Sequence, residues 1–236
     1  MNVRSNEKIM GYQKSNGGAF HDLDIFGSLS MNGDVLAEKI EIKGSATFKQ
    51  EMETTLLHVI GNCKVYGGIK ATDIRNKGVM KVNHGVYTTV LDNLGRAAMG
   101  SLQAIHVQSQ GDLVVEKGVR AETFEVEGKL TIHEKAIVEK NIMISFTGQS
   151  VVGHLESQYI SICRMKNGLQ LILGRSLLRA DTIIGEHIDL EHVEADFVKG
   201  HDVIIGPECR IRRVEYSGNL IIHPQAQVYK SSQVHI

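Results

Sequence analysis

Glycine recurs every 17 residues at Gly27, Gly44, Gly61, Gly78 and Gly95. Other columns keep the same register. Two and four residues after each glycine stand Leu29/Met31, Ala46/Phe48, Cys63/Val65, Met80/Val82 and Ala97/Met99. Eight residues on come Val35, Met52, Ile69 and Val86, and ten on come Ala37, Thr54, Ala71 and Thr88. Thirteen on come Ile40, Leu57, Ile74 and Leu91. A fixed period of this length builds a solenoid: one short repeat cannot bury its own apolar face, and stacking on a neighbour does. Apolar and polar side chains alternate within each repeat, which is the period of a strand. The expected fold is therefore all-β, a single-stranded β-helix with turns of about 17 residues. Each turn is expected to hold three short strands, bent where glycine or small residues let the chain turn.

The register is regular over 23–140, loosens over 141–199 and returns over 200–236. Inserted corner residues account for the loose part, because alternation persists there in Ile142/Ile144/Phe146, Leu169/Leu171/Leu173 and Ile188/Leu190. The segment 96–110 reads as a turn one residue short. The two prolines, Pro207 and Pro224, lie 17 apart and mark equivalent corners, since proline presets a turn and donates nothing to a sheet ladder. The organisation expected is one β-helix domain over 23–236 after a polar lead, 1–22, that is partly ordered or adds a partial first turn. The inward columns, with Val35, Ile40, Phe48, Val65, Ile69, Ile74, Val82, Val119, Phe124 and Ile132 as their anchors, build the core.

Charge is balanced, with 26 Lys+Arg against 27 Asp+Glu. That removes an overall attraction to nucleic acid or to an anionic surface. Cys63, Cys163 and Cys209 are odd in number and far apart, and are expected to be reduced thiols packed in the core. The polar start has no apolar core of leader length, and no run approaches the ~18 apolar residues of a membrane span. A cytoplasmic protein is expected.

The units Val35-x-Ala37-x-x-Ile40-x-Ile42, Ile69-x-Ala71-x-x-Ile74 and Val119-x-Ala121-x-x-Phe124-x-Val126 resemble bactofilin repeats. Gly33-Asp34 and Gly67-Gly68 precede the first two. Bactofilins are bacterial polymer-forming cytoskeletal proteins, and the resemblance covers 23–140 well and the remainder loosely. It implies a right-handed, three-faced β-helix that stacks end to end into filaments without nucleotide. It also implies a scaffold for cell shape, envelope assembly or motility. The implied partners are further copies of the chain, a paralogous bactofilin, and envelope or motility-machinery proteins. The inner face of the cell membrane is a candidate location, although the polar start does not match the apolar anchor some members carry.

Stacking has a physical basis apart from the resemblance. A β-helix ends in a cross-section of unpaired strand edges, and soluble solenoids normally cover it with polar caps. Phe20 and Phe26 at one end and Val234 and Ile236 at the other are the expected contacts. If the terminal segments fold over as caps, a monomer or closed dimer results instead.

Motifs for catalysis are sparse. No GxxxxGK[ST], GxSxG or HExxH pattern occurs. His154, His187 and His192 are somewhat similar to the zinc triad of left-handed β-helix carbonic anhydrases, and Ile205–Ile211 to a hexapeptide acyltransferase unit. The histidine spacing lies in the least regular region, and hexads do not persist. A monomeric binding solenoid is the other alternative. Tyr66 and Tyr87 point outward but share no column. The expectation is no enzyme, no cofactor, no metal site and no nucleic-acid partner.

Overall fold

The computed structural model describes residues 5–165 and 176–234. Among them every regular element is a strand, and the strands pair in parallel with strands one repeat away. The chain is a β-solenoid with a repeat near 17 residues. It divides into two compact units, Met1–Glu116 and Lys117–Ile236.

In the first unit each regular turn is a four-residue strand followed by an eight-residue strand, as in Ser28–Met31 and Val35–Ile42, then Ser45–Phe48 and Met52–Val59. The longer strand is bent: its pairing to the next turn runs through Val35, Leu36 and Ala37, skips Glu38 and resumes at Lys39. Three short straight pieces per turn result. The small column at the bend has a reason. Thr54 Oγ1 donates to the carbonyl of Glu38 at 3.2 Å, and Thr88 Oγ1 to that of Thr72 at 3.1 Å. Alanine or threonine therefore fits where a larger side chain would block the corner. Inside, Val35, Ile40, Phe48, Val65, Ile69, Ile74 and Val82 are all at most 2% exposed. Burying a side chain of this kind stabilises by roughly 1.5–3 kcal/mol.

The glycine column is a line of contact between turns. Ser28 N donates to Gly11 O, Ser45 N to Gly27 O, Asn62 N to Gly44 O and Val79 N to Gly61 O, at 2.8–2.9 Å. A Cβ placed on Gly44, Gly61 or Gly78 would lie 2.0–2.1 Å from the carbonyl oxygen of the glycine one turn earlier. No side chain fits, and so the period is written in glycine.

One inward column changes from apolar to polar. Val59, Asn76, Asn93 and Ser109 are successive members of it. Asn76 Nδ2 donates to Asn93 Oδ1 at 2.7 Å, and Asn93 Nδ2 donates to Ser109 Oγ at 2.8 Å. The same two amides also reach the carbonyls of Arg96 and Asp112. The ladder is fully buried and ties three successive turns, leaving Asn76 Oδ1 without a partner.

Strand structure begins at Ser5, ahead of the expected 23. Ser5–Ile9 pairs with Gly18–Ile25, and Tyr12–Ser15 pairs with Ser28–Met31. This turn is one residue short, with Ile9 on Ile25 and Gly11 beneath Gly27, so a strict 17-residue register passes over it. The segment 96–110 is also strand and also short, Ala97 pairing with Leu113.

In the second unit the strand Gly118–Phe146 is a continuously bent piece carrying Val119, Phe124 and Ile132, each at most 1% exposed. Register intervals here are irregular. Thr131 pairs with Val151, Gln149 with Leu177, Leu178 with Val193, and Glu194 with Arg210. The widest interval includes residues 166–175, so the expected alternation of Leu169, Leu171 and Leu173 lies outside the described residues. The 17-residue spacing returns where Val203 pairs with Leu220 and Ile205 with Ile222.

Candidate assembly surface

Two turns, one in each unit, differ from those they pair with. In the second unit, Val203, Ile205, Cys209, Ile211 and Val214 are inward residues at most 1% exposed. One turn on, their counterparts include Leu220, Ile222, Val228 and Ser231. Ile222 is 42% exposed, and Leu220, Ala226 and Val228 are half-buried. An apolar cross-section therefore lies open in the last described turn. Its strands, Leu220–Ile222, Gln227–Val228 and Ser231–Gln233, pair with preceding strands only, so one edge of each is unpaired among the described residues. The turn is held in place by its corner: Asp202 Oδ1 accepts from both the backbone N and Nδ2 of Asn219 at 3.0 Å. Those two bonds hold the Asp202 carboxyl below the usual carboxylate range.

The first described turn of the first unit is polar where its neighbour is apolar. Glu7 pairs with Leu23, Gln13 with Leu29 and Ser15 with Met31. Gln13 Nε2 donates to Glu7 Oε1 at 2.5 Å. This pair lies over the buried Leu23 and Leu29, and the one apolar member of the turn's inward set, Ile9, is 1% exposed.

The residues expected to make contacts are spread accordingly. Phe20 is 6% exposed and forms part of the core, its strand covered by Ser5–Ile9. Phe26 stands at a lateral corner between two lysines, with Lys8 Nζ 4.8 Å and Lys43 Nζ 4.6 Å from the ring centroid. Val234 is half-buried in the last described turn, its backbone N donating to Tyr216 O at 2.8 Å. Ile236 lies outside the described residues. Leu220, Ile222 and Val228 carry the open apolar surface and were not singled out as contacts. Their signal was in the sequence, as the final members of otherwise buried columns.

The three histidines weighed as a triad are not brought together. His154 sits in a column with Lys135 and Thr182 and lies 3.3 Å from Glu156. His187 is in another column, stacked on Tyr159 with centroids 4.9 Å apart, its Nδ1 3.3 Å from Asp202. His192 occupies a corner with φ 56°, its N donating to Pro207 O. Among the described residues no three His, Cys, Asp or Glu side chains converge to hold a metal ion. The cysteines are free thiols. Burial pushes Cys63 up to about 12 and Cys209 up to about 11. Cys163 is only half-buried, with its Sγ 3.4 Å from Ser145 Oγ.

The chain is similar to two proteins of Bacillus subtilis (strain 168). It is 34% identical over 89 residues to "Uncharacterized protein YhbE", covering 37% of this chain and 38% of the relative. It is 39% identical over 57 residues to "Uncharacterized protein YhbF", covering 24% of each. The match therefore spans well under half of each relative's length. No family model and no solved structure matches the chain.

Proposed function

We propose that this chain is a non-enzymatic scaffold that assembles with copies of itself through its open apolar turn, without nucleotide. The observation that carries the reading is the exposure of Leu220, Ile222 and Val228 at positions that are fully buried one turn earlier. A second copy stacked there would continue the strand ladders and complete the core columns, replacing water on both. The cross-section is small, so the gain per contact is modest once the cost of association is subtracted. Extended assemblies then require further contacts or high local concentration. The resemblance of the repeat units to bactofilins supports a cytoskeletal role in cell shape, envelope assembly or motility. It supports a cytoplasmic location, with the chain itself, a paralogue, and envelope or motility proteins as partners.

Negative-stain electron microscopy of the purified chain, with no nucleotide or metal added, tests this. Self-associated particles are expected: pairs joined at their open turns and, where lateral contacts add to these at high concentration, filaments or ribbons a few nanometres wide. Single chains at all concentrations would overturn the reading, and a closed trimer would favour the hexapeptide-type enzyme class instead.

A further inference from the structure

The balanced overall charge conceals a segregated face on the first unit. Its short strands stack as Tyr12–Ser15, Ser28–Met31, Ser45–Phe48, Asn62–Val65, then the starts of Val79–Tyr87 and Arg96–Gln103. Register fixes the two outward columns of this sheet. One runs Tyr12, Ser28, Ser45, Asn62, Val79, Arg96, and the other Lys14, Ser30, Thr47, Lys64, Lys81, Ala98. Across the stretches 10–17, 26–33, 43–50, 60–67, 77–84 and 94–101 there is no Asp or Glu at all. The chain has 27 such residues, and the acidic ones of this unit lie on other faces until Asp112 closes the column.

The corner beside this sheet has a second pattern. Phe26, Lys43, Ile60, Lys77 and Leu94 occupy equivalent positions, each backbone N bonded to the turn before. Apolar and lysine side chains alternate along the ridge, and Phe26, Ile60 and Leu94 are 38–44% exposed. Cations flank the aromatic ring there, as given above for Phe26.

We infer that this face binds an anionic lipid surface, its lysines and Arg96 on the headgroups and its corner ridge entering the interfacial region. Three features point to lipid. The strands are regular and parallel, with rows about 4.8 Å apart, so the charges spread over a sheet. Apolar side chains interleaved with lysine match an interface that is charged outside and apolar within, the arrangement by which peripheral proteins sit on membranes. Phosphodiester chains reward the charge but give Ile60 and Leu94 nothing to contact. The cations outnumber any paired carboxylate here. Of the described cations on this face and ridge, Lys43 has an ion-pair partner, Glu41 at 3.1 Å on the adjoining face, and no ion pair joins Lys14, Lys64, Lys77, Lys81 or Arg96 to a described carboxylate.

The test is flotation of the full chain with vesicles in a density gradient, so that self-assembled protein cannot pellet and pass for bound. Vesicles of phosphatidylcholine alone are compared with vesicles containing phosphatidylglycerol. Wild type is expected to float only with phosphatidylglycerol, and less so as salt is raised. Lys64→Glu with Lys81→Glu is expected to weaken partitioning at least about tenfold, since each cation near the surface contributes severalfold. Ile60→Ser with Leu94→Ser is expected to weaken it at unchanged salt dependence. Glu53→Lys, on another face, should not weaken it. Circular dichroism and sedimentation confirm that each variant folds and self-associates as wild type does. The inference is overturned if wild type stays unbound, if the double lysine reversal floats as well as wild type, or if single-stranded DNA is bound while vesicles are not. None of these outcomes depends on whether copies stack at Ile222.

Discussion

Gln13 donates to Glu7 across 2.5 Å at two positions that are Leu29 and Leu23 one turn on. A hydrogen-bonded polar pair thus covers the core of the first unit. In the last described turn of the second unit the inward residues Leu220, Ile222 and Val228 are instead apolar and partly exposed. The difference is chemical: a polar cross-section keeps its water, whereas an apolar one gains by losing it.

Replacing both Glu7 and Gln13 by leucine should therefore create a second sticky turn. Sedimentation velocity is expected to show larger species at a given concentration than for wild type. An unchanged distribution would mean that the polar pair is not what protects that turn.

The glycine column makes a sharp stability prediction. Gly61→Ala puts a Cβ 2.0 Å from Gly44 O, so two turns must separate. Gly11→Ala, in the same column, meets nothing within 4 Å. The first change should cost about 2–4 kcal/mol or prevent folding. The second should stay within about 1 kcal/mol of wild type. Thermal unfolding followed by circular dichroism separates the two, and equal effects would contradict the close-contact explanation of the period.

The buried amide ladder predicts an asymmetric loss. Asn93→Ala removes one of the two acceptors of Asn76 Nδ2, takes the Asn93 amide from Ser109 Oγ and the Asp112 carbonyl, and opens a small cavity, so it should destabilise by about 1–3 kcal/mol. Asn93→Leu keeps the volume but still removes the same hydrogen bonds. Denaturant titration is expected to place both variants below wild type, while Ser109→Ala costs less because it ends the ladder.

Much of this was legible in the sequence. The 17-residue columns identified the solenoid, the bend at the small column and the core residues from Val35 to Ile132. What was missed has physical causes. The first turn is one residue short, so Gly11 fell out of register and residues 5–15 read as a lead. Phe20 then looked terminal although Ser5–Ile9 covers it. The Asn76–Asn93–Ser109 ladder interrupts an apolar column, and nothing in composition signals that these polar groups satisfy one another. The charged face was hidden by summing charge over the whole chain. Aligning the turns shows that Lys64 and Lys81 share a column with no acid near them. Intervals in the second unit are both shorter and longer than 17, as in Leu178 on Val193 and Thr131 on Val151, so the strands stay paired while the period is erased.

Thiol chemistry gives a separate check on the core. Burial raises Cys63 and Cys209 well above an ordinary thiol, and the thiolate is the reactive form. In the native state at neutral pH a thiol reagent should modify Cys163 first, with the other two reacting only on unfolding. Rapid modification of all three in folded protein would contradict their placement.

The most direct test of the central claim compares wild type with Ile222→Glu/Val228→Glu by sedimentation velocity over a range of concentrations. The account predicts self-associated species, rising with concentration, for wild type. For the variant it predicts a small, folded species with the same circular dichroism, because two carboxylates on the open turn cannot be buried against a second copy without heavy desolvation cost. Wild-type assembly that survives unchanged in the variant would contradict stacking through this turn.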